Sequence, residues 1–291
     1  MASKIALLQI NPIVGDISGN ASKICNFSKQ ASLAGASLAV TTELAISGYP
    51  PRDLLLQSDF IRACHHTAST LESIIPILVG TPVPSVGERS LPGNGVVRAG
   101  DSPREVTRKQ LLPTYDVFDE ARYFESGKGP GIARTIAGLD IGVTICEDAW
   151  QHCGATPNDY DSDPIIHIVE WGRQGVVLDA TVNLSASPYH ADKSGIRVAV
   201  ARSAAASLNH PFLLANQVGG NDDLLFDGRS VIAWPDGTAV VAPSWTEGVL
   251  VADLSSPDAC EWLGELAHFP LLRAVPSLLL VITAVQGRPR K

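Results

Sequence analysis

The sequence predicts a layered α/β fold, and three observations carry that prediction. Short apolar runs rich in β-branched residues recur along the chain, stretches with helical spacing lie between several of them, and no long linker divides the 291 residues. With 45% hydrophobic residues the chain is too apolar to be disordered. Layered α/β folds run to about 250 residues as a single unit.

Taken in order, residues 5–10, 37–42, 75–80, 139–145, 176–182, 212–215 and 249–254 read as buried strands. Helical spacing marks residues 20–33, 54–74, 165–172 and 192–208. In the second of these Leu55, Phe60, Cys64 and Leu71 are apolar positions; in the last Ile196, Val200 and Ala204 share one face. The glycine- and proline-rich stretches 82–95 and 127–131 read as loops. The late apolar run 275–285 is broken by Pro276, Ser277 and Thr283, so it does not form a bilayer span.

Charge and cysteine usage narrow the class. Twenty-two Lys and Arg against 30 Asp and Glu leave a net charge of −8, which argues against a nucleic-acid partner. The opening MASKIALLQINP has no signal-peptide cleavage pattern, so a cytoplasmic protein is expected. Five cysteines without a C-x-x-C pair suit reduced thiols.

Two strand-like runs end on reactive side chains: 37–42 runs into Glu43, and 139–145 into Cys146. In α/β proteins reacting groups gather just beyond strand carboxyl ends. A cysteine becomes an effective nucleophile at neutral pH when a base takes its proton or a cation favours the thiolate. Glu43, among the small, apolar and turn-forming residues of TTELAISGYPP, and Lys109, ahead of QLLP, are candidates for those two tasks. The alternatives are poorer. His190 in SASPYH is the best placed of the seven histidines, yet no histidine lies in a comparably distinctive segment. No G-x-S-x-G or H-E-x-x-H is present, and Cys146 and Cys153 are too widely spaced for a zinc knuckle, so no metal site is expected.

Together these segments resemble the nitrilase superfamily, whose members cleave carbon–nitrogen bonds with a glutamate, a lysine and a cysteine. Five ordered blocks, ELAISGYPPRDLL, KQLLPTYDVFDEARYF, GVTICEDAW, NLSASPYHADK and NQVGGNDDLLFDGRSV, narrow the resemblance to the glutaminase domain of glutamine-dependent NAD synthetases, over about residues 4–254. The resemblance implies an α-β-β-α sandwich, a carbon–nitrogen hydrolase domain over 1–254, and association into at least dimers. Residues 255–291 form a tail with no recognisable synthetase start, and its apolar run is one candidate oligomer surface.

The same resemblance makes Cys146 the nucleophile, Glu43 the general base, Lys109 the stabiliser of the tetrahedral oxyanion and Glu120 a supporting second glutamate. It places Tyr49, Tyr115, Glu147, Trp150, Ser187 and Lys193 around a glutamine pocket. A carboxamide is a poor electrophile, so thiolate attack needs its oxyanion neutralised, by an ammonium and a backbone N–H. Hydrolysis of this kind needs no cofactor. ATP and Mg²⁺ enter only through a synthetase domain with an SGGxDS loop, a sequence not found in these 291 residues.

The implied activity is glutamine amidohydrolysis that supplies ammonia, with a separate ammonia-dependent NAD synthetase as candidate partner. Two alternatives stay open. One is a stand-alone amidase or nitrilase for another small amide, against which the SASPYH and NQVGGNDDLLFDG blocks speak. The other is a non-hydrolytic partner subunit, against which the retention of Glu43, Lys109 and Cys146 speaks.

Overall fold

Apolar β-branched runs that are buried on both faces need covering layers on both sides, and the chain supplies them. The computed structural model describes residues 4–264, apart from 86, 88, 89, 101 and 192, together with the backbone of 280–282. One seven-stranded sheet takes β1 (Lys4–Gln9), β2 (Leu38–Val40), β3 (Ile77–Val83), β4 (Gly93–Ala99) and β5 (Arg104–Arg108). A second takes β6 (Gly131–Ile136), β7 (Leu139–Ile145), β8 (Ala180–Ser185) and β9 (Phe212–Asn216). The strands β10 (Val218–Asn221) and β11 (Leu224–Asp227) form a separate hairpin. After it β12 (Val231–Ala233) and β13 (Ala239–Val241) join the second sheet, β14 (Gly248–Asp253) and β15 (Glu261–Leu263) the first, and β16 (Leu280–Ile282) the second. The orders are β15-β14-β1-β2-β3-β4-β5 and β16-β13-β12-β9-β8-β7-β6.

Four helices complete the layers: α1 (Ile17–Leu33), α2 (Ser58–Ser69), α3 (Pro164–Arg173) and α4 (Lys193–Leu208). Leu7, Val40 and Leu78 of the first sheet meet Val143, Val182 and Leu213 of the second in one buried cluster, so the sheets pack face to face. Ile24, Ala31, Cys64 and Ala68 of α1 and α2 cover the outer face of the first sheet. Ile165 of α3 and Val200 and Ala204 of α4 cover that of the second. The layers therefore run α-β-β-α, as the resemblance implies. In both sheets the strands next to the site are parallel: β1, β2 and β3 in one, β7, β8 and β9 in the other.

Three boundaries differ from the sequence reading, each for a local reason. The strand expected at 176–182 starts at Ala180 instead. Gly175 turns left-handed at φ +89°, and the Val176 N–H caps α3 by donating to the Trp171 carbonyl at 2.9 Å, which leaves Val177 exposed. The helix expected over 54–74 is interrupted at Gln57, whose extended backbone separates a 3-10 turn, Arg52–Leu56, from α2. The stretch 82–95 is loop only in its middle, because β3 runs through Val83 and β4 begins at Gly93. A Cβ on Gly95 would lie 2.8 Å from the Val83 side chain, so glycine there serves strand packing and not a turn.

Helix starts follow their caps. Asp16 accepts the Gly19 N–H at 2.9 Å, and Asp163 accepts those of Ile165 and Ile166 at 2.9 and 3.1 Å. Among the described residues no helix is long and apolar enough to cross a membrane. The run 275–285 lies outside the described residues except for β16, which pairs antiparallel with β13.

One buried ion pair ties α4 to the hairpin. Arg197 and Asp227, with side chains 0% and 2% exposed, meet at 2.9 Å, and Arg197 also donates to the Gly228 carbonyl at 3.2 Å. Arg197→Met leaves the Asp227 carboxylate buried without its cation. We expect a loss of about 3–5 kcal/mol in unfolding free energy by urea denaturation. An Arg197→Met/Asp227→Leu double variant should recover most of it, and a single-variant loss below ~1 kcal/mol would show the pair to be dispensable.

Candidate active site

The site lies where β2, β7 and β8 end. Glu43 follows β2 in a tight turn in which Leu44 has φ +47°. The turn packs directly on β3. A Cβ on Gly80 would stand 2.4 Å from the Thr42 carbonyl oxygen and 2.7 Å from the Leu44 nitrogen, so only glycine permits the approach. The Gly80 N–H in turn donates to Thr41 Oγ1 at 3.0 Å.

Cys146 ends β7 and opens a 3-10 turn, Cys146–Ala149, with its own backbone at φ +42°. A left-handed conformation in a residue with a Cβ costs about 1–3 kcal/mol and persists only where its surroundings enforce it. Two side chains do so. Asn183 of β8 donates to the Cys146 carbonyl at 3.2 Å. Asp148 accepts the Ile145 N–H through Oδ2 at 3.0 Å, and the N–H groups of Gln110 and Leu111 through Oδ1 at 3.0 and 2.9 Å. One carboxylate thus staples the strand end that carries Cys146 to the segment that carries Lys109.

Lys109 is the centre of the charge arrangement. Its side chain is 0% exposed, and Nζ stands 2.8 Å from Glu43 Oε1 and 2.8 Å from each Glu120 oxygen. Glu43 Oε1 also accepts from Asn94 Nδ2 at 2.7 Å, and Oε2 accepts the Ala186 N–H at 3.0 Å. Asn94 does double duty, because its carbonyl receives the Lys109 N–H at 2.7 Å. Tyr49 donates its hydroxyl to Glu120 Oε1 at 2.8 Å.

The protonation states follow from burial and pairing. Burial pushes the Lys109 ammonium down, but the carboxylates of Glu120 and Glu43 outweigh it and hold the group well above the usual lysine value. Burial raises Glu120 to about 7, with Lys109 pulling it down and Glu43 pushing it up. Burial likewise raises the Cys146 thiol well above the ordinary range, reinforced by the charge of Glu43 and opposed by Lys109. Cys146 is therefore a neutral thiol at rest, beside a carboxylate able to take its proton.

The remaining expected residues gather around Glu147 and Trp150. Glu147 is buried, and its Oε1 accepts the hydroxyls of Tyr115 at 2.7 Å and Tyr160 at 3.2 Å. The Lys193 ammonium sits over the Trp150 ring, 4.3 Å from its centroid, and burial holds its pKa below the lysine value. Ser187 is placed by its backbone N–H, which donates to Asn216 Oδ1 at 2.9 Å. Behind Glu120 and Tyr49 lies a cavity of about 270 Å³, walled by Leu55, Phe118, Tyr123 and Leu224, which does not reach Cys146.

All ten expected residues thus fall in this region. Asn94, Asp148, Asn183, Asn216 and Tyr160 were not anticipated. Asp148 had one available signal, an acidic residue three positions after the end of an apolar run; the others make contacts across 13 to 51 positions that no local pattern encodes. His190 is exposed and bonds only the neighbouring Ala191 carbonyl, at 2.7 Å. Among the described residues no group of three or more His, Cys, Asp or Glu side chains is arranged to hold a metal ion.

Comparison with known proteins shows the family and the fold. The carbon-nitrogen hydrolase family pattern matches residues 4–262. A glutamine-dependent NAD(+) synthetase of Synechocystis sp. is 40% identical over 265 residues, covering 87% of this chain and 46% of the relative. One from Aquifex aeolicus is 32% identical over 266 residues, covering 88% and 43%. The chain spans less than half the length of these relatives. Among solved structures, glutamine-dependent NAD+ synthetase from Acinetobacter baumannii superimposes with a TM-score of 0.74 at 29% identity, over 87% of this chain and 45% of that one. An amidase from Nesterenkonia sp., 21% identical, has a TM-score of 0.68 over 87% and 90% of the two chains, a likeness of fold alone.

Asp148→Ala would strand three buried N–H donors, each at a cost of about 1–3 kcal/mol. We expect a loss of at least ~3 kcal/mol in denaturant-measured stability, with Cys146 labelled faster by a small thiol reagent as the turn loosens. Unchanged labelling would show that Asp148 does not hold the turn.

Proposed function

The chain belongs to the carbon–nitrogen hydrolase family, and on that premise we propose that it is a glutamine amidohydrolase. In this reading Cys146 is the nucleophile, Glu43 the general base, Lys109 the oxyanion stabiliser and Glu120 the residue that holds Lys109. The observation that carries it is the Lys109 ammonium clamped between two buried carboxylates beside a buried thiol. An ammonium has three N–H donors. Two are committed to Glu43 and Glu120, and the third is available to the oxygen of a bound amide.

The cycle follows from those states. Glu43 takes the thiol proton as sulfur attacks the carboxamide carbon, and the negative charge that develops on oxygen is met by Lys109. The C–N bond breaks as Glu43 hands the proton to the leaving nitrogen, releasing ammonia and a glutamyl thioester. Glu43 then deprotonates a water that attacks the thioester, and the proton returns to sulfur with release of glutamate. Protein side chains supply every group this sequence uses.

The choice of glutamine is supported by the charged groups near Cys146 and by similarity to glutamine-dependent relatives. Glu147 offers an anion and Lys193 a cation, which suit the ammonium and carboxylate of an amino-acid head group, with Tyr115, Trp150 and Ser187 between them and Tyr49 beside Glu120. We take 1–254 as the catalytic unit, working in the cytoplasm as a dimer or larger assembly. Residues 255–291 lie outside its chemistry, although β15 and β16 extend the sheets. Ammonia is delivered to an ammonia-dependent NAD synthetase, and any need for ATP and Mg²⁺ belongs to that partner activity.

Ammonia release from glutamine, followed with and without an ammonia-dependent NAD synthetase, tests this function directly. Cys146→Ala should abolish turnover with little change in stability, and Lys109→Ala should lower kcat by about 10² or more; glutaminase activity persisting in Cys146→Ala would overturn the assignment.

The acid limb of the pH profile supplies a second check. Protonating Glu120 removes one of the two anions holding Lys109, so kcat/KM should fall as the pH drops through about 7. Glu120→Gln should be slower and should lack that limb; a limb that survives unchanged would assign it elsewhere.

A further inference from the structure

Tyr160 stands in none of the five motif blocks and on neither sheet. It belongs to the connection between the 3-10 turn Gln151–Cys153 and α3, where residues 157–159 and 161 are exposed while Tyr160 is partly buried. Its hydroxyl donates to Glu147 Oε1 at 3.2 Å, the same oxygen that Tyr115 meets at 2.7 Å. The connection that carries it is pinned. Gln151 Nε2 donates to the Tyr160 carbonyl at 3.5 Å, and Thr156 Oγ1 donates to Gln151 Oε1 at 2.9 Å. His152 bridges Asp163 at 3.1 Å and Ser207 of α4 at 2.8 Å, which fastens the connection at its ends.

Two phenols on one carboxylate oxygen have a directional consequence. Each carboxylate oxygen offers about two acceptor sites, so Oε1 of Glu147 is filled by protein donors and Oε2 is left to receive a further one. Glu147 is only 4% exposed, and its hydrogen-bond partners among the described residues are these neutral hydroxyls, not a cation. A buried carboxylate without an ion pair contributes little to a fold. It is well suited to take up a small ammonium group.

We infer that Tyr160 is a positioning residue for substrate selection: by fixing Glu147 with Oε2 free, it sets the preference for an amide that carries an α-ammonium group. Tyr115 alone would leave the carboxylate free to rotate about one hydrogen bond, whereas the second phenol, from a different part of the chain, fixes its plane. This inference rests on the reading of the site as a glutaminase, and it adds a residue and a segment that select the substrate without touching the reacting atoms.

Steady-state kinetics on glutamine and on glutaramate, which is glutamine without its α-amino group, test it. In the wild-type chain glutamine should be preferred. Tyr160→Phe keeps the ring and removes the hydroxyl. The ratio of kcat/KM for glutamine over glutaramate should narrow about tenfold, through KM for glutamine, with glutaramate turnover unchanged. A variant that keeps the wild-type ratio overturns the inference, and so does an equal fall for both substrates, which would mark Tyr160 as merely structural. A wild-type chain that shows no preference for glutamine instead overturns the glutaminase reading, and this inference with it.

Discussion

Burying the Lys109 ammonium is the constraint on which the rest of the site depends. An isolated buried ammonium is unstable by several kcal/mol even after relaxation, and here the side chain has no exposed surface. Glu43 and Glu120 both have to reach it, from the end of β2 and from the segment beyond β5. The three charges do not cancel, since two carboxylates face one ammonium. Burial raises Glu120 and the excess negative charge adds to it, while Glu43 is met by the neutral donors Asn94 and Ala186. An arrangement that were only structural would balance more simply with one carboxylate.

The proposed nucleophile is restrained by different means. Cys146 is not held ready as a thiolate, because burial and the nearby carboxylates keep its proton on. Its reactivity depends instead on geometry: a strained strand end enforced by Asn183 and by the three N–H bonds of Asp148. Burial pushes the thiols of Cys64 and Cys260 up to about 12, and no neighbouring cation opposes it at either. A thiol that ionises only in the presence of its proton acceptor is poorly nucleophilic toward chance electrophiles.

The scaffold and the connections around Glu147 are separate parts of the molecule. The two face-to-face sheets and their helices supply the strand ends that lead to Glu43 and Cys146, whereas the groups around Glu147 and Trp150 come mostly from connections. Tyr115 comes from the segment after β5, Tyr160 from the link before α3, and Lys193 from the first turn of α4. Loops carried by a rigid scaffold can change without disturbing it, which is how one fold comes to host different functions. The Arg197–Asp227 pair matters in this light, because it joins α4 to the hairpin and, through Gly228 and Asn216, to Ser187.

By itself the sequence determined the layered fold, the strands that carry Glu43 and Cys146, and the membership of the charge cluster. Those features depend on hydrophobic period and on residues placed at strand ends, both local properties. The motif blocks extended this to Glu120, which no periodicity marks. Missed elements were of two kinds. Strands β4, β5 and β6 were overlooked because glycine and polar residues obscure their alternation, as at Gly95, where the strand needs a missing side chain to pack, and β10 to β13, β15 and β16 because runs of three or four residues are too short to show a period. The links made by Asn94, Asn183, Asn216 and Tyr160 were decided only by tertiary structure. A hydrogen bond between residues far apart in the chain depends on where two separately folded segments come to rest, and that position is settled by packing of the whole molecule, not by either segment alone.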